Sequence, residues 1–274
     1  MNYILCLLTI VLIISCGDDN FKKYAKLDSF RVLAIIADTP EVGDTSETVT
    51  LTPIVSDIEN KGRIITITAV GCIDPGISRG EDISCDGESS KQEVTYNNNN
   101  SVDLNTLLSA NYYTGAIPSV SVTLPSNILS TRDEIDKING VNYLVLFTFS
   151  IDGKTVLNTF KRITVSDNIA KNVNPTLGDI GTLELSSNEQ NMDLEVTSTP
   201  ETFIYYSLSE GQKTSTEKFY LSWFTSNGSI TNSQVYVDEK TILKFDQTLP
   251  EKAIVTVFLR DGRGGVAFNY VVLE

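Results

Sequence analysis

From Phe30 onward the chain alternates short runs rich in β-branched residues with clusters of Asp, Gly, Asn and Pro. Arg31-Val32-Leu33-Ala34-Ile35-Ile36-Ala37 is followed by Pro40, and further runs cover 48–55 and 63–70. Runs of this length and composition suit pleated, half-buried strands, and their regular interruption by turn formers is the signature of a sandwich or barrel. Residues 71–100 break the rhythm and read as a long polar surface loop. Two short helices are expected in the same half. One covers about 103–109; the other opens on a capping box made by Thr131 and Glu134, shares a face between Ile135 and Ile138, and stops at Asn139-Gly140. Strands resume at 142–151, turn at Asp152-Gly153 and return through 155–165, a hairpin by its turn chemistry.

Residues 166–178 carry no periodic pattern, and 168–174 read as a linker. A second strand-rich unit follows, with runs at 180–186, 192–198, 202–208, 217–226, 234–237, 241–245, 253–260 and 266–273. Leu221, Trp223 and Thr225 alternate with Tyr220, Ser222 and Phe224, which places the single tryptophan in the core of a central strand. The last two strands flank Asp261-Gly262-Arg263-Gly264-Gly265. Its glycines supply positive φ, and Asp261 is expected to bond the turn backbone. The expected fold is all-β: two immunoglobulin-like β-sandwich units, 28–167 and 175–274, with short helical insertions in the first.

The N-terminus follows a different pattern. Residues 4–14 are apolar except for Thr9. At about 1.5 Å per residue the run is too short to cross a ~30 Å hydrocarbon core, but it suits the h-region of a signal peptide. It ends in Ile13-Ile14-Ser15-Cys16, followed by Gly17-Asp18-Asp19-Asn20. That sequence resembles the lipobox of bacterial lipoproteins, although Met1-Asn2-Tyr3 lacks the usual basic residue. The resemblance implies removal of residues 1–15, a diacylglyceryl group on Cys16, and a lipidated tether over 16–27. Two or three palmitate-like chains, at about 0.8 kcal/mol per buried CH₂, anchor a protein essentially permanently. Gly17 in second place, by similarity to the sorting rule of enterobacterial lipoproteins, favours the outer membrane; Asp18-Asp19 offers a competing signal, and either membrane face stays open.

Charge and composition narrow the chemistry. The net charge of −14 repels phosphate backbones, which argues against nucleic-acid binding, and offers no basic patch to anionic lipid. There is no histidine. That removes Ser-His and Cys-His nucleophile pairs and the commonest zinc ligand. Of four cysteines, Cys6 leaves with the signal peptide and Cys16 carries lipid, so Cys72 and Cys85 are expected to pair in an oxidising compartment. The densest acidic group is Asp74, Glu81, Asp82, Asp86 and Glu88. It offers oxygens to Ca²⁺ but lacks regular Asp-x-Asp-x-Asp spacing, so it reads first as a solvated loop. Ser215-Thr216-Glu217-Lys218 and Ser166-Asp167-Asn168 match two signatures of penicillin-binding enzymes, but in reversed order and without Lys-Thr-Gly. No cofactor is implied.

Several segments together resemble a group of deltaproteobacterial Ig-like lipoproteins. They are Arg31–Ile35 with Pro40-Glu41-Val42 and Val49-Thr50-Leu51, Lys161-Arg162-Ile163-Thr164-Val165-Ser166, Asn172-Val173-Asn174-Pro175, Ser222-Trp223-Phe224 with Gly228, and Arg260-Asp261-Gly262-Arg263-Gly264-Gly265-Val266. The resemblance implies an address and a fold but no activity. The expected function is therefore a non-catalytic envelope lipoprotein, held to the membrane by lipid and acting as a binding, adhesion or scaffolding module for a protein or glycan. The alternatives are a glycan hydrolase using two carboxylates and an accessory subunit of an envelope complex.

Overall fold

The computed structural model describes residues 24–76, 83–94, 96, 100–181, 183, 188–192, 194–245 and 250–274. Cys6, Cys16, Glu81 and Asp82, and with them the signal-peptide and lipidation expectations, lie outside the described residues.

Strands dominate both halves. The first unit contains β1 (Arg31–Ala37), β2 (Glu41–Val42), β3 (Thr48–Ser56), β4 (Ile64–Ile73), β5 (Gln92–Val94), β6 (Ser101–Asp103), β7 (Thr114–Ala116), β8 (Val120–Thr123), β9 (Val141–Ile151) and β10 (Lys154–Val165). Helices α1 (Leu104–Leu108) and α2 (Glu134–Asn139) are inserted between them. One sheet joins β1 to β3, with β7 and β8 also on β3; the other runs β2-β10-β9-β4-β5, with β6 also on β4. β2 pairs parallel with β10 whereas the other pairs are antiparallel. An opening strand that leaves one sheet to run parallel to the last strand of the facing sheet is immunoglobulin-like topology.

Period-two patterning makes the core. In β9, Tyr143, Val145, Phe147 and Phe149 point inward and are fully buried, meeting Val49, Leu51 and Val55 of β3. The β9–β10 turn places Asp152 and Gly153 at φ 50° and 73°, the backbone a tight hairpin with right-twisted strands requires. α2 starts differently from the expectation. Its N-cap is Asp133, whose carboxylate accepts from Asp136 N, not Thr131. Aspartate caps at least as well as threonine, and Asp133, immediately before the helix, satisfies Asp136 N, two residues beyond the Glu134 N that a capping box would give to Thr131.

The second unit contains β11 (Leu177–Ile180), β12 (Glu189–Met192), β13 (Leu194–Val196), β14 (Thr202–Ser207), β15 (Gly211–Thr216), β16 (Tyr220–Thr225), β17 (Ser229–Thr231), β18 (Gln234–Tyr236), β19 (Thr241–Lys244), β20 (Ala253–Arg260) and β21 (Val266–Leu273). A four-stranded sheet β18-β16-β20-β21 faces the sheet β12-β19-β17, flanked by the pair β11-β13. Trp223 sits at the centre of this core with Leu221, Val255, Val257 and Leu259.

The opposite face of that sheet is not solvated. Phe224, Ile254, Phe258 and Val266 pack against Leu33, Ala34 and Ile54 from the outer face of the β1–β3 sheet. A bulge between Val32 and Ala34 turns Leu33 and Ala34 together toward this layer, while Ile35 and Ala37 return to the first core. Rings of Phe224 and Phe258 meet edge to face at 5.8 Å, and Phe258 stacks on Phe268 at 5.0 Å. The two sandwiches therefore share a third apolar layer, giving four sheets in succession. Residues 24–27, within the span expected as a tether, lie against β16: Leu27 N donates to Thr225 O, and Thr225 N to Ala25 O, each at 2.8 Å.

Candidate functional site

The polar residues singled out in the sequence gather at the edge of this third layer. The β20–β21 turn is organised by Asp261, whose buried carboxylate accepts from Arg263 N at 2.7 Å and Gly265 N at 3.0 Å, and from Asn172 Nδ2 at 3.0 Å. Gly262 and Gly264 adopt φ 81° and 108°. A Cβ on Gly265 would lie 2.0 Å from Asp261 Oδ2, so only glycine lets the backbone close on the carboxylate.

That turn presents Arg263 to the first unit. Its guanidinium reaches Glu41 Oε2 at 2.7 Å and Glu217 Oε1 at 3.1 Å, and lies 4.4 Å over the Phe203 ring. Glu41 is 3% exposed and also accepts from Ser166 Oγ, from Asn172 N at 2.9 Å and from Asn168 Nδ2 at 3.1 Å. Burial pushes the Glu41 carboxyl up, but the bonds from Ser166, Asn172 and Asn168 and the charge of Arg263 outweigh it and hold it below the usual range. Glu217, pushed up chiefly by burial, shifts the opposite way beside the same arginine.

Lys161 of β10 donates to Gly264 O at 2.5 Å, and burial, against the pull of Asp261, lowers its pKa to about 8. Asn174 completes the junction, donating to Ala37 O at 2.6 Å and accepting from Val266 N at 2.9 Å. Residues 168–174, expected as a linker, are thus held to both units by their own side chains. The segments Pro40–Val42, Lys161–Ser166, Asn172–Pro175 and Arg260–Val266, far apart in the chain, meet here. Expected to be a turn, Arg260–Val266 is also the clamp between sandwiches; a buried partner for Arg263 has no local signal.

Above the junction lies a hollow of about 270 Å³ lined by Glu41, Asn139, Thr164, Asn168, Phe203, Tyr205 and Arg263. The β14–β15 hairpin closes one side. Asn139 at the end of α2 takes the place of a neighbouring strand: its amide donates to Tyr206 O at 3.0 Å and accepts from Tyr206 N at 2.7 Å.

Cys72 and Cys85 form a disulfide. The bridge packs its loop on Leu144 of β9, covering part of the outer face of the six-stranded sheet. Arg162 Nε donates to Asp74 at 2.5 Å, and Lys91 pairs with Asp86 at 2.8 Å. Of the three described members of the acidic Ca²⁺ candidate, Asp74 and Asp86 are thus paired with separate cations, and no cluster of three metal-ligating side chains occurs among the described residues.

Trp223 lies in the core as expected. Its ring also forms part of the wall of a larger cavity, about 670 Å³, where β11, β12 and β13 meet β16 and the turn between β18 and β19. The sequence held no signal for this cavity, because its walls come from five elements.

No family model and no curated protein sequence matches the chain. Among solved structures, similarity extends to the FN1–FN3 domains of chicken CNTN1 at 14% identity, TM-score 0.22, covering 89% of this chain. It also extends to the Ig1–2 module of the Drosophila receptor protein tyrosine phosphatase DLAR, at 8% identity and TM-score 0.24, covering 90% of this chain and 98% of that one. The Yersinia pseudotuberculosis adhesin InvE is similar at 11% identity, TM-score 0.24, over 90% of this chain and 60% of its own. The chain spans 64% of the length of the CNTN1 fragment. Likenesses this distant assign nothing to the chain beyond what its own topology shows.

Proposed function

We propose that this protein is a lipid-anchored, non-catalytic component of a bacterial cell envelope, in which a stiff β body presents a binding or adhesion surface. The observation that carries the reading is the fate of the reactive side chains. Among the buried charged residues, Lys161, Glu41, Glu217 and Asp261 are consumed, with Arg263, at the junction of the two sandwiches, and Asp57 is held by Arg63 within the first. With no histidine in the chain, general acid-base work has few other agents. A shared apolar layer keeps the two units from flexing, which suits a spacer or ligand-presenting module better than a closing cleft. The anchor rests on the lipobox-like Ile13–Cys16 segment, and the resemblance to Ig-like lipoproteins points to the same address, with the outer membrane favoured by Gly17.

Metabolic labelling with a palmitate analogue, combined with membrane fractionation, tests the anchor: label on the wild type and none on Cys16→Ala, which stays unprocessed, is the expected pattern. Equal processing and partitioning of both forms would remove the localisation. Crosslinking and pull-down from intact cells tests the module: a reproducible protein or glycan partner is expected.

A further inference from the structure

We propose that the rim of the third apolar layer around Tyr24 docks on the lipid headgroup surface of the bilayer. The inference deepens the reading of the chain as a lipid-anchored module and rests on it, because the anchor at Cys16 is what brings this rim to a membrane.

The reach of the tether comes first. Cys16 precedes Tyr24 by eight residues, and a fully extended chain of that length spans at most about 29 Å. At Tyr24 the chain is already fixed to the body. Tyr24 O accepts from Arg31 Nη1 at 2.6 Å, its ring lies 5.8 Å from that of Phe224, and Ala25 and Leu27 bond Thr225. Thr225 lies opposite Val255, near the start of β20, and the Arg263 clamp stands at the far end of that strand. A lipid on Cys16 therefore holds the Tyr24 rim, in preference to the clamp, close to the bilayer.

The side chains gathered there suit that partner. Tyr24 and Lys26 lie beside Thr225, and Asn227 just beyond it donates its amide to Lys252 O at 2.8 Å. The Lys252 ammonium is 5.8 Å from the centre of the Tyr112 ring, and the rings of Tyr112 and Tyr113 are 6.5 Å apart. Tyr113 N donates to Leu108 O, next to Leu107, which is 43% exposed. Tyr24 is 52% exposed, and no described residue bonds the hydroxyls of Tyr24, Tyr112 or Tyr113. Tyrosine and lysine are the side chains of a bilayer interface, with ring or stem against acyl carbon and the polar tip among phosphates and water.

The backbone points the same way. Tyr112 and Tyr113 hold left-handed φ of 51° and 56°, a conformation that glycine or asparagine adopts more cheaply. Packing on the third layer accounts for the Tyr112 ring, but the Tyr113 ring joins none of the apolar cores. Strain kept for an exposed ring marks a surface that uses it. Charge permits the contact. A net charge of −14 repels anionic lipid, yet the densest acidic groups lie in the cysteine loop and at the clamp. At the rim Arg31 pairs with Asp28 and Lys252 with Glu274, while Lys26 offsets Glu251. A protein would also cover such a rim, but with so short a tether lipid is the surface always within reach.

The test uses the full lipidated chain in vesicles of phosphatidylethanolamine with a minor share of phosphatidylglycerol. A fluorophore is placed on Glu251→Cys at the rim, or on Glu210→Cys in the β14–β15 turn, and a nitroxide is carried on the lipid headgroup. Quenching at the rim position and none at the turn is expected. A flexible Gly-Ser insert after Asn20 that doubles the tether should leave the rim quenching in place. Tyr24→Ser/Leu107→Ser/Tyr113→Ser should abolish it with the strand spectrum intact. Equal quenching at both positions, loss of rim quenching in the lengthened chain, or full quenching in the triple variant would each overturn the proposal. Shielding of the rim in native membranes but not in pure lipid would also overturn it, and would assign the rim to a protein partner. Failure of Cys16 to take up a palmitate label would instead remove the anchor, whereas a labelled chain with an unquenched rim removes the docking alone.

Discussion

At the scale of single residues, the junction shows how strongly a buried charge depends on its partners. Arg263 holds two carboxylates that are almost fully buried, Glu41 and Glu217. Removing one member of such a group leaves the others charged and desolvated, which typically costs about 3–5 kcal/mol. Arg263→Met is expected to lower unfolding stability by that order in urea at neutral pH; a loss below about 1 kcal/mol would show that the group is dispensable. Lys161 yields a pH signature. Its folded pKa of about 8 lies below the value of about 10.4 it has when unfolded. Between these values the unfolded chain binds the extra proton, so stability rises with pH across the window from 8 to 10. Lys161→Met should flatten that rise in denaturation curves taken at successive pH values. Tyr96 and Tyr143, both pushed up by burial, act the opposite way and only above about pH 10. On the acid side, the contribution of Glu41 is present above its unfolded pKa and disappears as pH falls through its depressed folded value.

Among elements, legibility followed locality. The hairpins β9–β10 and β20–β21 were readable because turn residues and flanking alternation occur side by side in the chain. The strands β2, β5, β6, β7 and β8 were not, being two to four residues long and too short to express a period. The β14–β15 hairpin was half visible: its first strand was expected at 202–208, its return within a stretch of Thr, Ser, Gln and Lys was not. That hairpin depends on Asn139, whose amide supplies two backbone bonds to Tyr206. Asn139→Ala is expected to cost about 1–2 kcal/mol and to raise amide exchange across residues 202–216 selectively. Uniform exchange across the molecule would argue that the hairpin is held elsewhere. The disulfide belongs to the same scale. Opening the loop between Cys72 and Cys85, 13 residues apart, should lower stability by about 3 kcal/mol in the chain-entropy model and unprotect Leu144 on β9. Calorimetry of Cys72→Ala/Cys85→Ala beside the oxidised wild type measures it.

Over the whole molecule, the third apolar layer makes two sandwiches into one cooperative body. Phe224, Ile254, Phe258, Phe268 and Tyr270 would meet water if the units parted, along with Leu33 and Ile54 of the first. A single calorimetric transition is expected, with equal van't Hoff and calorimetric enthalpies. Two separable transitions would show that the layer does not couple them.

The chain by itself determined the class of its elements, the two strand-rich halves, the disulfide pair and the lipobox-like start, because each rests on neighbours in sequence: a period of two, a turn dipeptide, a short apolar run. It also placed Trp223 in a core. Tertiary structure alone decided that the sheet bearing Trp223 is covered on both faces, that Arg263 pairs with Glu41 across more than two hundred residues, and that a cavity opens beside the indole. Such features depend on which surfaces come together after the strands form: a continuous apolar run such as Ala253–Leu259 permits burial on both faces but does not say what covers the second.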